Sequence, residues 1–483
     1  MTDSLIPIDL AIVGHTNTGK TSLMRTLLRD EHFGEVADSP GTTRHVESTQ
    51  LITQDGQPIL ILRDTPGLED AMGALDYLEQ LIPDGERPDG PERIQRLLDS
   101  PESAGRFEQE CRVLSAVRDA HAALYVIDAR DPVLPKHKDE LQLIAACGRP
   151  ILPVLNFTLS AQAHPDTWRE ALARLGLHTS VDFDTVAPAL DGEAQLLDRL
   201  VLMLDQHAAT LQTLRADLVQ QRLQRLRDAT RLVAELLMDA ASLRLPCSQA
   251  PSDIAALTRS LRTRMRDREQ DCVHALLKRY RFSKATFPHH PLPLEGERWG
   301  MDLFSPQTLR VFGVQLSKGL ATGAMAGATL DVFTGGLSLG TATILGAAIG
   351  GAWQGANQWG KRLMSLMAGH TELTVDDAVL HLLGLRQIAL IRALETRGHA
   401  ALRPIEANLM PPEDAALPEA TSAAAPDPAQ PAIAQNRLPP GIQAILREAR
   451  SHPEWSHAGG HVPADARRDL LVGQMAQSLF DIL

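Results

Sequence analysis

Short apolar runs alternate with helix-patterned stretches along the first part of the chain. Residues 7–13 (PIDLAIV) read as a buried strand, 14–21 as a glycine-bounded loop, and 22–29 as a helix carrying Leu23, Leu27 and Leu28. Residues 46–53 and 58–63 read as two strands, with Asp55-Gly56 between them as a hairpin signal. Further buried runs stand at 122–127 (AALYVI) and 151–155 (ILPVL), with a weaker one at 181–187. Helical stretches separate these runs, so the connections are crossovers and the sheet is mostly parallel. The pattern predicts an α/β domain over 1–205. Residues 69–110 interrupt it. They are polar and broken by Pro83, Pro88, Gly90, Pro91 and Pro101, and read as an inserted helical or loop element.

The remainder reads as mainly helical. From 194 to 245, Leu197, Leu200, Leu204, Leu211, Leu214 and Leu218 recur at helical spacing, and Pro246 ends the pattern. Such a seam packs within the molecule or pairs with a second copy. A second helical stretch, 253–281, carries Arg259, Arg262, Arg264, Arg266, Arg268, Lys278, Arg279 and Arg281. It is either a solvated face paired with acids elsewhere or a surface for anionic lipid or RNA.

Residues 313–360 change character. Gly319, Gly323 and Gly327 recur every fourth position, as do Gly336 and Gly340, and Gly346 and Gly350. This glycine-zipper spacing predicts a helical hairpin with arms of 313–330 and 335–355 meeting at Asp331–Gly336. The second arm would be roughly 31 Å long at ~1.5 Å per residue, enough for a bilayer core. Trp353, Trp359, Lys361 and Arg362 fit an interfacial anchor, whereas Asp331, Thr334, Ser338, Thr341 and Thr343 fit a hairpin buried in protein. Both readings stand. The predicted division after the first domain is a helical middle at 206–300, the glycine-rich region at 301–405, a Pro/Ala-rich linker at 406–441 and a short helical segment at 442–483.

Composition narrows the classes. Net charge is −13, which argues against whole-surface binding to nucleic acid. Cys111, Cys147, Cys247 and Cys272 are scattered, suggesting neither a disulfide framework nor a zinc site. The first residues lack a basic leader followed by an apolar core. A cytoplasmic setting is therefore expected, with 313–360 leaving room for contact with inner-membrane lipid.

The candidate chemistry is concentrated early. Gly14-His-Thr-Asn-Thr-Gly19-Lys20-Thr21 fits G-x-x-x-x-G-K-[ST] between an apparent strand and an apparent helix. Glycines let successive backbone N–H groups turn toward one anion, and the helix N-terminus adds its dipole. Lys20 would reach the β- and γ-phosphates, and the Thr21 hydroxyl would ligate Mg²⁺. Asp64-Thr65-Pro66-Gly67 ends the strand 58–63. There Asp64 would hold Mg²⁺ through water and the Gly67 N–H would meet the γ-phosphate. Pro40-Gly41-Thr42-Thr43-Arg44 lies between the two, where a Thr could reach the metal while a γ-phosphate is present.

The set GHTNTGKT, PGTTRH and DTPG resembles the TrmE and Era group of translation-factor-class GTPases, over roughly residues 5–205. The resemblance implies a Ras-like P-loop G domain holding Mg²⁺ and GTP or GDP. Thr21, Thr43 and Asp64 would surround the metal. Lys20, Thr43, Asp64 and Gly67 would carry catalysis. Gly14, Asn17, Thr18, Gly19, Lys20, Thr21, Ser22 and Asn156 would bind the nucleotide. Asn17 matches the loop Asn that in TrmE-like proteins helps bind K⁺, a cation that would offset transition-state charge. Leu68 stands where many GTPases place a water-orienting Gln. Members of the group with an apolar residue there often dimerise across the nucleotide face. Glu69 or Asp70 could place water instead, or be ordinary solvated acids. Asn156-Phe157-Thr158-Leu159 stands where Asn-Lys-x-Asp is expected, so the guanine-reading acid is missing at Leu159. Val186-Ala187-Pro188 resembles a remnant of the last base-contacting loop.

The architecture also resembles an uncharacterised bacterial family in which an Era-like G domain precedes a domain of unknown function. Three functional readings follow: a hydrolysing regulatory switch at the membrane, an Era-like RNA- or ribosome-associated factor, and a nucleotide-gated scaffold with little turnover.

Overall fold

The strand runs of the sequence become β1 (Ile8–Val13), β2 (Glu47–Ile52), β3 (Pro58–Asp64), β4 (Ala122–Asp128), β5 (Ile151–Asn156) and the two-residue β6 (Val181–Asp182). They form one sheet in the order β2-β3-β1-β4-β5-β6. All neighbours are parallel except the hairpin β2–β3, which pairs antiparallel at one edge. In this computed structural model the described residues are 7–30, 33, 47–52, 56, 58–247, 250–282, 328–331, 371–401, 438–457 and 464–483.

Side chains on successive strand residues alternate between the two faces. Ile8, Leu10 and Ile12 therefore face one apolar layer, and Ala11 and Val13 the other. The first layer is closed by α1 (Lys20–Leu28), by Leu196, Leu197 and Leu200 of α7 (Gly192–Met203), and by Leu211 and Leu214 at the start of α8 (Ala208–Ser242). The leucine seam is thus spent inside the protein from Leu197 to Leu214, the first of its two predicted uses. The opposite layer is closed by α2 (Ala71–Gln80), α3 (Gly90–Leu98), α4 (Glu108–Asp119), α5 (Pro135–Ala145) and α6 (Pro165–Arg174). Residues 69–110 therefore hold α2, α3, a 3-10 turn at Pro101–Ala104 and the start of α4. Asp89 caps α3 by accepting from the Glu92 N–H at 2.9 Å, with Gly90-Pro91 opening the helix. Ile94, Leu97 and Phe107 anchor the segment to the core.

The chain divides into two compact units. The first comprises the described residues of 1–225, 280–290 and 393–404, and the second those of 226–279, 291–392 and 405–483. In the second, β7 (Arg244–Cys247), β8 (Ala328–Asp331) and β9 (Thr371–Val375) form an antiparallel sheet in the order β7-β9-β8. The glycine spacing predicts residues 328–330 as the end of the first helical arm and Asp331 as the start of its junction. They are strand instead, because Leu330 pairs across Leu373 and Thr329 across Thr374, positions that suit β-branched and apolar residues. The rest of 313–360, and the expected linker as far as residue 437, lie outside the described residues. Among the described residues no helix is long and apolar enough to cross a membrane.

The basic stretch lies on α9 (Pro251–Arg279), where Arg279 pairs with Asp228 and Arg268 with Asp239, each at 2.7 Å. Asp239 is fully buried. It also accepts from Arg468 at 3.0 Å and from the His457 backbone at 3.3 Å, and lies 2.9 Å from His457 Nδ1. One carboxylate thus joins α8, α9 and the helix Ala466–Phe480. Asp239→Ala strands Arg268 and Arg468 and is expected to cost about 3–5 kcal/mol, read as a lower midpoint in urea unfolding.

Candidate functional site

Three residues with positive φ shape the turn from β1 into α1: Gly14 at +143°, Asn17 at +66° and Gly19 at +93°. A Cβ on Gly14 would lie 2.4 Å from the Val126 carbonyl oxygen, and one on Gly19 2.3 Å from Asn156 Nδ2. Glycine is required at both places by conformation and by space. The turn folds the Lys20 side chain back over the loop. Its Nζ donates to the carbonyls of Gly14 at 3.1 Å and His15 at 2.8 Å. Burial pushes the Lys20 ammonium down to about 8, against the pull of Asp64 and then Glu140. The first turn of α1 holds no acidic residue, so the positive end of its dipole is uncompensated by its own side chains. Asn17 stands exposed at the crest of the loop, Thr18 is buried with its hydroxyl on the His15 carbonyl at 3.0 Å, and Ser22 is half-buried on α1.

The end of β3 meets this loop. Thr21 Oγ1 donates to Asp64 Oδ2 at 2.6 Å, and both residues are buried. Thr65 Oγ1 donates to the Ile12 carbonyl at 2.7 Å, tying the turn to β1. A Cβ on Gly67 would lie 2.4 Å from Thr16 Oγ1, so this turn and the loop pass in backbone contact. A hydroxyl and a carboxylate oxygen, hard ligands side by side next to a buried ammonium, fit Mg²⁺ with a polyphosphate. Thr43, with the rest of 40–44, lies outside the described residues.

The water-placing position reads differently from the usual pattern. Leu68 is fully buried in the layer of α2 to α6, so its side chain points into the core. The Asp70 carboxylate caps α2 through the Gly73 N–H at 3.0 Å and pairs with Arg106 at 2.7 Å. Glu69 is exposed, and its backbone N–H and that of Asp70 donate to the buried Glu110 at 3.1 and 2.9 Å.

At the other end of the site, Asn156 is fully buried and bonded on both sides of its amide. Its Nδ2 donates to the Thr18 carbonyl at 3.0 Å. Its Oδ1 accepts from the backbone N–H groups of Phe157 and Thr185, both at 2.9 Å. Phe157 has φ of +57°, and the Arg130 guanidinium lies 4.0 Å from its ring centroid. The Leu159 side chain is 72 % exposed, while its N–H reaches Asp184 at 3.3 Å. Asp184 also accepts from the N–H groups of Val186 and Ala187 at 2.9 and 3.1 Å.

Glu110, Asp184 and the pair His15–Glu140 were missed in the sequence. Glu140 lies 2.7 Å from His15 Nδ1 and accepts from Tyr125 at 2.6 Å, fixing the loop to α5. Glu110 and Glu140 each lie within a helix and Asp184 follows β6, with no motif to mark these acids. Asn156→Ala would leave three buried backbone groups without their partner. It is expected to destabilise the nucleotide-free protein by about 3 kcal/mol, measured by urea unfolding.

Residues 169–477 match a family model described as a domain of unknown function (DUF3482), and residues 9–157 match one described as a 50S ribosome-binding GTPase. GTPase Der of Baumannia cicadellinicola is 28% identical over 152 residues, 32% of this chain and 26% of that protein. GTPase Der of Pectobacterium atrosepticum is 29% identical over 151 residues, 31% of this chain and 24% of that protein. The matched stretch thus spans about a quarter of these curated relatives. Among solved structures, Aquifex aeolicus Era bound to GDP and aluminium fluoride covers 41% of this chain and 57% of its own, at 20% identity and a TM-score of 0.29. Elongation factor SelB of Methanococcus maripaludis with a GTP analogue covers 41% and 34%, at 15% identity and a TM-score of 0.26. With one model matching more than half of its length, the chain belongs to the DUF3482 family, and it carries a GTPase domain ahead of that region.

Proposed function

We propose that the protein binds Mg²⁺·GTP at the loop Gly14–Thr21, hydrolyses it to GDP and phosphate, and acts as a nucleotide-dependent switch. The observation that carries this reading is the buried Lys20 ammonium on two loop carbonyls, directly beside the Thr21–Asp64 pair. Lys20 would exchange those carbonyls for the β- and γ-phosphates. Thr21 and Asp64 would hold Mg²⁺, which would draw charge from the phosphate oxygens. Thr18, Gly19 and Ser22 would offer backbone N–H groups, and the Gly67 N–H would meet the γ-phosphate. Thr43 would join the metal when GTP is present. Exposed Asn17 would hold a K⁺ ion between the phosphates.

A second reading is a scaffold that binds GTP with little turnover. Two observations favour it: Leu68 is spent in the core, and the Asp70 carboxylate is occupied by its helix cap and Arg106.

Calorimetry with non-hydrolysable GTP and ATP analogues tests the site. GTP-selective binding lost in Lys20→Ala is the expected result. Equal affinity for ATP would mean that Leu159 has removed guanine selectivity. Phosphate release should be faster in K⁺ than in Na⁺, and Asn17→Ala should abolish the difference. Tight binding without release in either salt would favour the scaffold.

The pH dependence follows from Lys20. Its ammonium titrates near 8 in the empty site, and bound phosphates would raise that value. Binding then takes up a proton, so the affinity is fully present below pH 8 and is lost as pH rises through it. The analogue should bind about tenfold more weakly at pH 9 than at pH 7, provided its phosphates keep the bound ammonium charged.

A further inference from the structure

The GTPase match stops at residue 157, next to Asn156, yet the sheet and its loops continue into the stretch matched by the DUF3482 model. One later segment returns to those loops. Gly398 donates its backbone N–H to the Val186 carbonyl at 2.9 Å. A Cβ on Gly398 would lie 1.8 Å from the Thr185 carbonyl oxygen and 2.7 Å from its carbon. Both are backbone atoms, so the contact cannot be relieved by turning a side chain aside.

The partners of that contact lead back to the phosphate loop. The Thr185 N–H donates to Asn156 Oδ1, and Asn156 Nδ2 donates to the Thr18 carbonyl. The Thr185 carbonyl accepts from Thr26 on α1 at 3.1 Å. Gly398 is thus tied by a hydrogen bond to Val186, whose chain neighbour Thr185 is tied by two more, through Asn156, to Thr18.

The segment is itself anchored within the same unit. Glu395 pairs with Arg222 at 2.8 Å. His399 is buried, stacks on Phe282 with ring centroids 4.3 Å apart, and lies 3.0 Å from the Tyr280 carbonyl through Nε2. Burial, with Arg29 as the next cause, holds this imidazole down to about 3, so the stack is neutral at ordinary pH.

We infer that Gly398 is a positioning residue for recognition of the nucleotide base: the segment Glu395–Ala401 sets the loop Asp184–Ala187, and with it the base-binding end of the site. The inference rests on the nucleotide site proposed above, with the base placed over the loops after β5 and β6, where Asn156 and residues 186–188 stand at the positions of base contacts. Base affinity and the packing of this segment are then two sides of one equilibrium, and each must bias the other.

The test uses the full chain and two probes. A non-hydrolysable GTP analogue reads the whole site, and Mg²⁺ tripolyphosphate reads the phosphate loop alone. Failure of wild-type protein to bind either probe would sink the nucleotide site itself, a separate outcome. Given wild-type binding, Gly398→Ala should weaken the GTP analogue about tenfold or more and leave tripolyphosphate within about twofold. Folded Gly398→Ala with unchanged affinity for the analogue would overturn the inference, as would equal losses for both probes. His399→Ala and His399→Phe carry the test if Gly398→Ala fails to fold. The Phe variant keeps the stack on Phe282 and should retain most of the selective affinity that the Ala variant loses. Identical behaviour of the two would overturn the inference. Backbone hydrogen exchange supplies a readout that a merely structural contact would not move. Amides at 395–401 should gain protection with the GTP analogue and not with tripolyphosphate.

Discussion

An ammonium buried at the mouth of a parallel sheet constrains everything around it. Taking a charged lysine out of water is costly unless polar groups surround it. Among the described residues Lys20 finds two carbonyls, with the acids Asp64 and Glu140 acting at longer range. Those carbonyls face it because Gly14, Asn17 and Gly19 hold left-handed or otherwise glycine-type backbone. The loop keeps that shape because β1 is buried on both faces, because the turn after β3 passes in backbone contact at Gly67, and because Asn156 holds Thr18 from the far side. The arrangement is a buried, positively charged socket built from several separate strand ends.

What the sequence disclosed and what it concealed divide by range. Lys20 and Thr21 could be read because a tight glycine turn between a strand and a helix needs those residue types at fixed local spacing, and Asp64 because Asp-x-x-Gly ends a later strand. The five longer strands could be read because apolar runs bounded by turn residues have few other uses. Glu110, Glu140 and Asp184 could not, since each acts on backbone or side chains brought close only by the finished fold. The polar stretch 69–110 looked irregular because its prolines open or flank short helices as often as they break them. Residues 328–331 looked helical because glycine spacing on either side set the period, while their strand pairing with Thr371–Val375 lies far along the chain.

The position of Leu68 is set by packing. The same backbone that brings Gly67 to the phosphate loop turns the next side chain inward, where it fills space under α2. A polar side chain there would be buried without partners, so the local packing favours an apolar residue independently of the chemistry above it. The approach of Gly67 to the loop and the filling of the core are thereby met by one backbone path.

The discontinuity of the first unit bears on how the protein is made. Residues up to Arg225 leave the ribosome well before Glu395–Ala401 do, and at ~5–20 residues per second the interval is roughly 10–35 s. During that time the Val186 carbonyl lacks its Gly398 partner and His399 has not yet stacked on Phe282. The nascent sheet can form, while the loop beside Asn156 waits for a segment still inside the exit tunnel. Maturation of this part of the fold is therefore tied to synthesis of residues 395–401, a temporal order written into the path of the backbone.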